Sequence, residues 1–172
     1  MNRIAFSLLV LSFIPAVFFS SCKGPKSDQQ KIEEMEKKLM EAQGGILDPQ
    51  LGNEMIKYYV DFVNKNHKSE LAPTYLFRAA DISLNMDEPE RSIHFLEQIQ
   101  KNYPEFEKIE DVLFLKGFIY ENNIRNFGKA KEAYDEFLNK YPEHEMAKEV
   151  RIIIQNLGKT PEELIKEFEA NN

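Results

Sequence analysis

With 172 residues, 42% of them hydrophobic, and a formal net charge of −7, the chain has room for one domain plus appendages. An acidic chain without a basic stripe argues against a nucleic-acid partner, which needs clustered Lys and Arg, and against an electrostatic grip on anionic lipid. A single cysteine excludes an intrachain disulfide.

Met1-Asn2-Arg3 forms a short positive tip. Ile4 to Phe19 is almost wholly apolar, interrupted by Ser7, Ser12 and Pro15, and Ser20, Ser21 and Cys22 come next. This is the plan of a signal peptide, and the run is shorter than the roughly 20 residues of a spanning helix. Phe19-Ser20-Ser21-Cys22 resembles the bacterial lipoprotein box. Phe19 stands where that family usually has Leu, a departure tolerated in lipoproteins of the Bacteroidota. The resemblance implies a signal peptide over residues 1–21 and a diacylglyceryl anchor on the thiol of Cys22. An incidental cysteine after an ordinary signal peptide, or an uncleaved anchor, are the other readings. Lys23 replaces the Asp that retains enteric lipoproteins at the inner membrane, which points by analogy to the outer membrane. The linker over 22–28 lacks the acidic run that resembles a surface-export signal, which points to the periplasmic side.

Residues 29–47 are expected to hold a helix and a Gly44-Gly45 break. Ile32, Met35, Leu39 and Ala42 recur on a narrow helical seam. The seam suits a single helix lying on the first repeat. It also resembles a stub of the trimeric coiled coil in Tol–Pal-type repeat proteins, so an oligomer assembled through residues 29–43 stays open beside the expected monomer.

A repeat domain is expected over 48–172. Asp48 and Pro49 predict a capped helix start, with a helix running to about Asn66 that buries Tyr58, Tyr59, Phe62 and Val63. Ser69 and Pro73 predict the next start, and Asp87 with Pro89 the one after. Helices are expected from about Glu107 to Asn122, from Phe127 to Tyr141 and from Glu143 to Leu157. Gly158 then breaks the chain, and Thr160-Pro161-Glu162-Glu163 is a capping box. Leu164, Ile165 and Phe168 predict one apolar face on a helix that caps the array.

The segment from Tyr75 to Tyr141 is a duplication. Phe77-Arg78-Ala79-Ala80 corresponds to Phe114-Leu115-Lys116-Gly117, and the closing Pro104 and Pro142 lie 38 residues apart. A fainter copy starts at Phe62. Such a period implies stacked helical hairpins, none of which buries its apolar face alone. Gly117, Tyr120, Ala130, Tyr134, Phe137 and Pro142 resemble the tetratricopeptide pattern; Ala80, Ser83, Ser92, Leu96, Ile99 and Pro104 follow it less closely. The period also exceeds that family's usual 34 or so. The resemblance implies an all-α, tetratricopeptide-like helical-hairpin solenoid whose first helices line a groove for a protein or peptide.

No catalytic or metal-binding pattern is legible. His67, His94 and His144 are scattered, and there is no paired-histidine motif, phosphate loop or nucleophile elbow. No enzyme activity, metal or cofactor is expected. The groove stripe expected by analogy is Phe77 and Asp81 on one repeat with Phe114, Phe118 and Glu121 on the next. An apolar strip with acidic neighbours suits a peptide of basic character. The expected function is that of a protein-binding scaffold or adaptor, anchored to the outer membrane of a bacterial envelope and facing the periplasm. The whole resembles the repeat lipoproteins of outer-membrane protein assembly and the Tol–Pal-associated repeat proteins.

Overall fold

Breakers and caps in the sequence set the helix boundaries. The computed structural model describes residues 27–42 and 48–170. Among these, eight α-helices and no strand are found: α1 (Asp28–Ala42), α2 (Pro49–Lys65), α3 (Leu71–Asn85), α4 (Pro89–Asn102), α5 (Ile109–Asn122), α6 (Phe127–Lys140), α7 (Ala147–Asn156) and α8 (Pro161–Ala170). From α1 to α7 each helix packs on its neighbour in the chain. The fold is an all-α solenoid of helical hairpins. Cys22 and Gly44-Gly45 lie outside the described residues.

Several predicted caps form. The Asp48 carboxylate accepts from the Gln50 amide at 2.9 Å, ahead of Pro49. Thr160 and Glu163 close the capping box in both directions, at 3.2 and 2.8 Å. Asp87 is a correction. It does not cap α4: the residue flanking Pro89 is Glu88, which makes no side-chain cap bond. Asp87 instead ends α3 in the left-handed region, with φ 60°, and lets the Glu88 amide reach back to the Ser83 carbonyl at 2.9 Å. A short polar side chain tolerates that conformation, so the same residue type serves either end of a link.

The α1 seam is used inside the chain. Ile32 and Met35 are buried in the core shared with α2, and Leu39 is half covered. Helix α1 thereby stands as the first helix of an upstream hairpin with α2. Met55 and Ile56, fully buried on α2, join Tyr59, Phe62 and Val63, whereas Tyr58 is only half buried.

In the hairpin α5–α6 the two helices touch at Gly117. A Cβ placed there would lie 2.5 Å from ring atoms of Tyr134, so only glycine permits this approach. The equivalent residues one unit earlier are Ala80 and Leu96, both fully buried. The larger partner is matched by the smaller residue.

The C-terminal end departs from expectation. Helix α7 begins at Ala147, because residues 143–146 form a turn. Ala147 and Val150 are buried, but Ile152 is 48% exposed. On α8, Leu164 and Ile165 of the expected capping face are 36% and 59% exposed, and the Phe168 side chain lies outside the described residues. Helix α8 is not packed along α7 as α4 is along α3. The links show why. From α3 onward each hairpin link has one left-handed residue, and in the first two it stands two positions before the next helix: Asp87 before Pro89, Arg125 before Phe127. Gly158, with φ 78°, stands three before Pro161. A one-residue shift of the bend re-aims the next helix.

Two substitutions test this packing. Gly117→Ala gains about 1 kcal/mol of helix propensity but forces the Tyr134 ring to move, which costs about 1–3 kcal/mol. Net destabilisation is expected in urea unfolding followed by circular dichroism. Ser92 is fully buried and its hydroxyl has no hydrogen-bond partner. Ser92→Ala removes an unsatisfied donor and is expected to stabilise the fold by about 1 kcal/mol.

Candidate functional site

The first helices of the hairpins, α1, α3, α5 and α7, present one face of the array. Asp81 on α3 and Phe118 on α5 occupy equivalent positions and both point to solvent; Phe118 is 41% exposed. Phe77 and Phe114, also equivalent, are half buried against the core. The Phe77 ring lies 6.3 Å from that of Phe106. The Phe114 ring lies 5.9 Å from Tyr134 and 6.3 Å from Phe137. Glu121 is partly buried and accepts a hydrogen bond from the Tyr134 hydroxyl at 2.8 Å, which pushes that phenol, already desolvated by burial, further above its ordinary range. Of the five groove residues expected from sequence, Asp81 and Phe118 are therefore the open pair. The other three also serve the fold.

Asp81 is distinctive among the described carboxylates. Its side chain makes no hydrogen bond or ion pair, and the surrounding chain displaces enough water to raise its carboxyl above the ordinary value. The nearest candidate cation on its own helix, Arg78, is already engaged. It pairs with Glu36 of α1, which also accepts from the Tyr59 hydroxyl at 2.7 Å, and its guanidinium lies 5.9 Å over the Tyr75 ring. This bridge between α1 and α3 has no local sequence signal, because its members lie 42 residues apart.

A second polar cluster joins α4, α5 and α6. Gln100 donates to both oxygens of Glu136 at 2.7 and 2.8 Å, accepts from Lys116, and Lys140 pairs with Glu136 at 2.8 Å. Burial pushes the Lys116 ammonium down. Burial also opposes the Glu136 carboxylate, but Lys140 and Gln100 outweigh it and hold the group below its usual range. Each member is partnered within the cluster, so it fastens one hairpin to the next.

An open cleft of about 810 Å³ lies between the α2–α3 and α4–α5 turns. Leu71, Pro73, Pro104 and Phe106 line it, and Tyr103 crosses it to donate to the His67 carbonyl at 3.0 Å. It does not include the expected groove residues. The histidines stay apart: His94 pairs with Gln98 at 2.7 Å, and His144 accepts from the Met146 amide and meets the Phe137 ring edge-on. Among the described residues no group of three or more His, Cys, Asp or Glu is placed to hold a metal ion, and no helix is long and apolar enough to cross a membrane.

The tetratricopeptide repeat family model matches residues 74–105 and 111–144. These are the hairpins α3–α4 and α5–α6, the two units that carry Asp81 and Phe118. No curated protein matches the chain. The array is therefore a tetratricopeptide-like one, with its two matched repeats at the centre and a hairpin outside the matched segments on either side.

Proposed function

We propose that this chain is a non-enzymatic, lipid-anchored adaptor of a bacterial cell envelope that holds a protein segment on its first-helix face. Tetratricopeptide repeats generally mediate protein–protein interaction. The observation that carries the reading is the open pair Asp81 and Phe118 on successive repeats. Phe118 offers an aromatic surface to an apolar side chain. Asp81 is exposed and its side chain has no partner, so a Lys or Arg in the bound segment can pair with it. The matching segment is extended or helical, with an apolar residue and a basic residue spaced to reach both helices. The anchoring half of the proposal rests on the sequence of residues 1–22, in which the lone cysteine stands at the lipoprotein box. Acylation fixes the array to the outer membrane on its periplasmic side.

Photo-cross-linking from position 118 in native membranes tests capture. A discrete adduct is expected from Phe118 and none from the exposed Lys131 on α6. The Cys22→Ser chain is expected to lose acyl labelling. No adduct from a folded, membrane-bound protein removes the groove reading, and persistent acylation of the Cys22→Ser chain removes the anchor.

Asp81→Asn separates binding from folding. The folded carboxyl titrates above its unfolded value, so its contribution to stability is full below the ordinary carboxylate range and is lost as pH rises through the folded pKa. At neutral pH the ionised group costs stability. Asp81→Asn is expected to melt slightly higher at pH 7, with the gain vanishing as pH falls into the carboxylate range, and to weaken the Phe118 adduct. A lower melting temperature, or an unchanged adduct, argues against the assigned role.

A further inference from the structure

The last hairpin is built but not closed. Helix α7 stacks on the array through Ala147 and Val150, as a first helix should, yet leaves Ile152 uncovered. Its counterpart on α5, Phe114, is covered by Tyr134 and Phe137 of the second helix α6. Helix α8 is the second helix that would do this for Ile152, yet it leaves Ile165 59% and Leu164 36% exposed. Its direction is locally fixed. Gly158 is bent left-handed with the Phe127 ring beside it, the Lys159 amide is bonded to the Asn156 carbonyl at 3.0 Å, and the Thr160–Glu163 box sets the first turn. Between α7 and α8 lies a groove of about 440 Å³ with Phe127, Ile152, Ile153 and Leu164 on its walls.

We infer that this end of the array is a self-association surface, on which α8 of each copy packs against α7 of a second copy. The chain carries a first helix that lacks a second and a second helix that lacks a first. A two-fold axis supplies both missing partners at once, because an isologous contact uses one patch twice. The charges agree with this occupant. Helix α7 holds Lys148 and Arg151 against one acid, and α8 holds four glutamates against Lys166. The same pairing sets α8 against α7 rather than against another α8. On α1 the seam residues Ile32 and Met35 are already buried in the core. The assembly is thus a dimer joined at its C-terminal ends, in place of the monomer expected from sequence, with the two Asp81–Phe118 faces left open.

The test uses the full chain in mild detergent, in a Cys22→Ser background. One tagged copy carries Ile152→Cys and a differently tagged copy carries Ile165→Cys. Mild oxidation of the mixture is expected to give a disulfide-linked heterodimer as the dominant product. Ile152→Cys mixed with a Lys131→Cys copy is expected to give none. A single chain carrying both cysteines is expected to form linked dimers. An intrachain disulfide in that chain would mean that α8 folds back on its own α7, and it overturns the inference. So does the absence of any disulfide in the mixture. As an independent readout, Ile165→Lys is expected to convert the dimer to monomer in light scattering without lowering the melting temperature. A wild-type chain that is already monomeric overturns the inference as well.

Discussion

The contact between Gly117 and the Tyr134 ring sets the spacing of the best-formed hairpin, and the rest of the array is stacked on hairpins of that kind. Two helices pack closely only if one gives up side-chain volume where the other has most. The chain meets the constraint with glycine facing tyrosine in one repeat and alanine with leucine in the other. Once the pair is closed, its outer surfaces remain apolar. Leu113 and Val112 must then meet the preceding hairpin, and Val150 of the following helix α7 must meet this one. A stack follows from the hydrophobic effect, because no single pair has removed enough apolar surface from water.

Polar groups inside this stack are used to join helices. Glu36 receives both Tyr59 and Arg78, Glu121 receives Tyr134, and Gln100 stands between Lys116 and Glu136. Each arrangement satisfies a donor that packing has taken from water. Against that pattern two groups stand out. The Ser92 hydroxyl is buried where the better repeat has Ala130, and nothing in the surrounding structure explains it. Asp81 is different in kind: it is open to solvent on the face where a partner can reach it. An unpaired carboxylate that faces outward is the kind of group that a basic partner can engage.

Much of this was legible in the sequence. The duplicated Tyr-Pro endings, the small residues at Ala80 and Gly117, and the Thr160–Glu163 box each have a local cause, and local causes survive in a one-dimensional string. Three kinds of feature were not. Asp87 is acceptable both as a helix N-cap and as a left-handed terminator, and only the backbone path chooses between them. Phe77 and Phe114 fall on the same helical stripe as Phe118 within a turn, and the rings of Phe106, Tyr134 and Phe137 decide which aromatics are covered. The Glu36–Arg78 bridge and the direction of α8 depend on positions fixed by distant or one-residue differences that periodicity does not encode.

Among the described residues the main helix–helix approaches join elements that are consecutive in the chain, and a side-chain bridge such as Gln100–Glu136 reaches one element further. Contacts this local keep the contact order low, and a low contact order makes folding fast. Any central hairpin can form first and recruit its neighbours without waiting for the two ends of the chain to meet. For a polypeptide made one end first, that topology has a kinetic value. Each hairpin can collapse as soon as its two helices are complete, so the interval in which apolar helix faces stand unprotected is short.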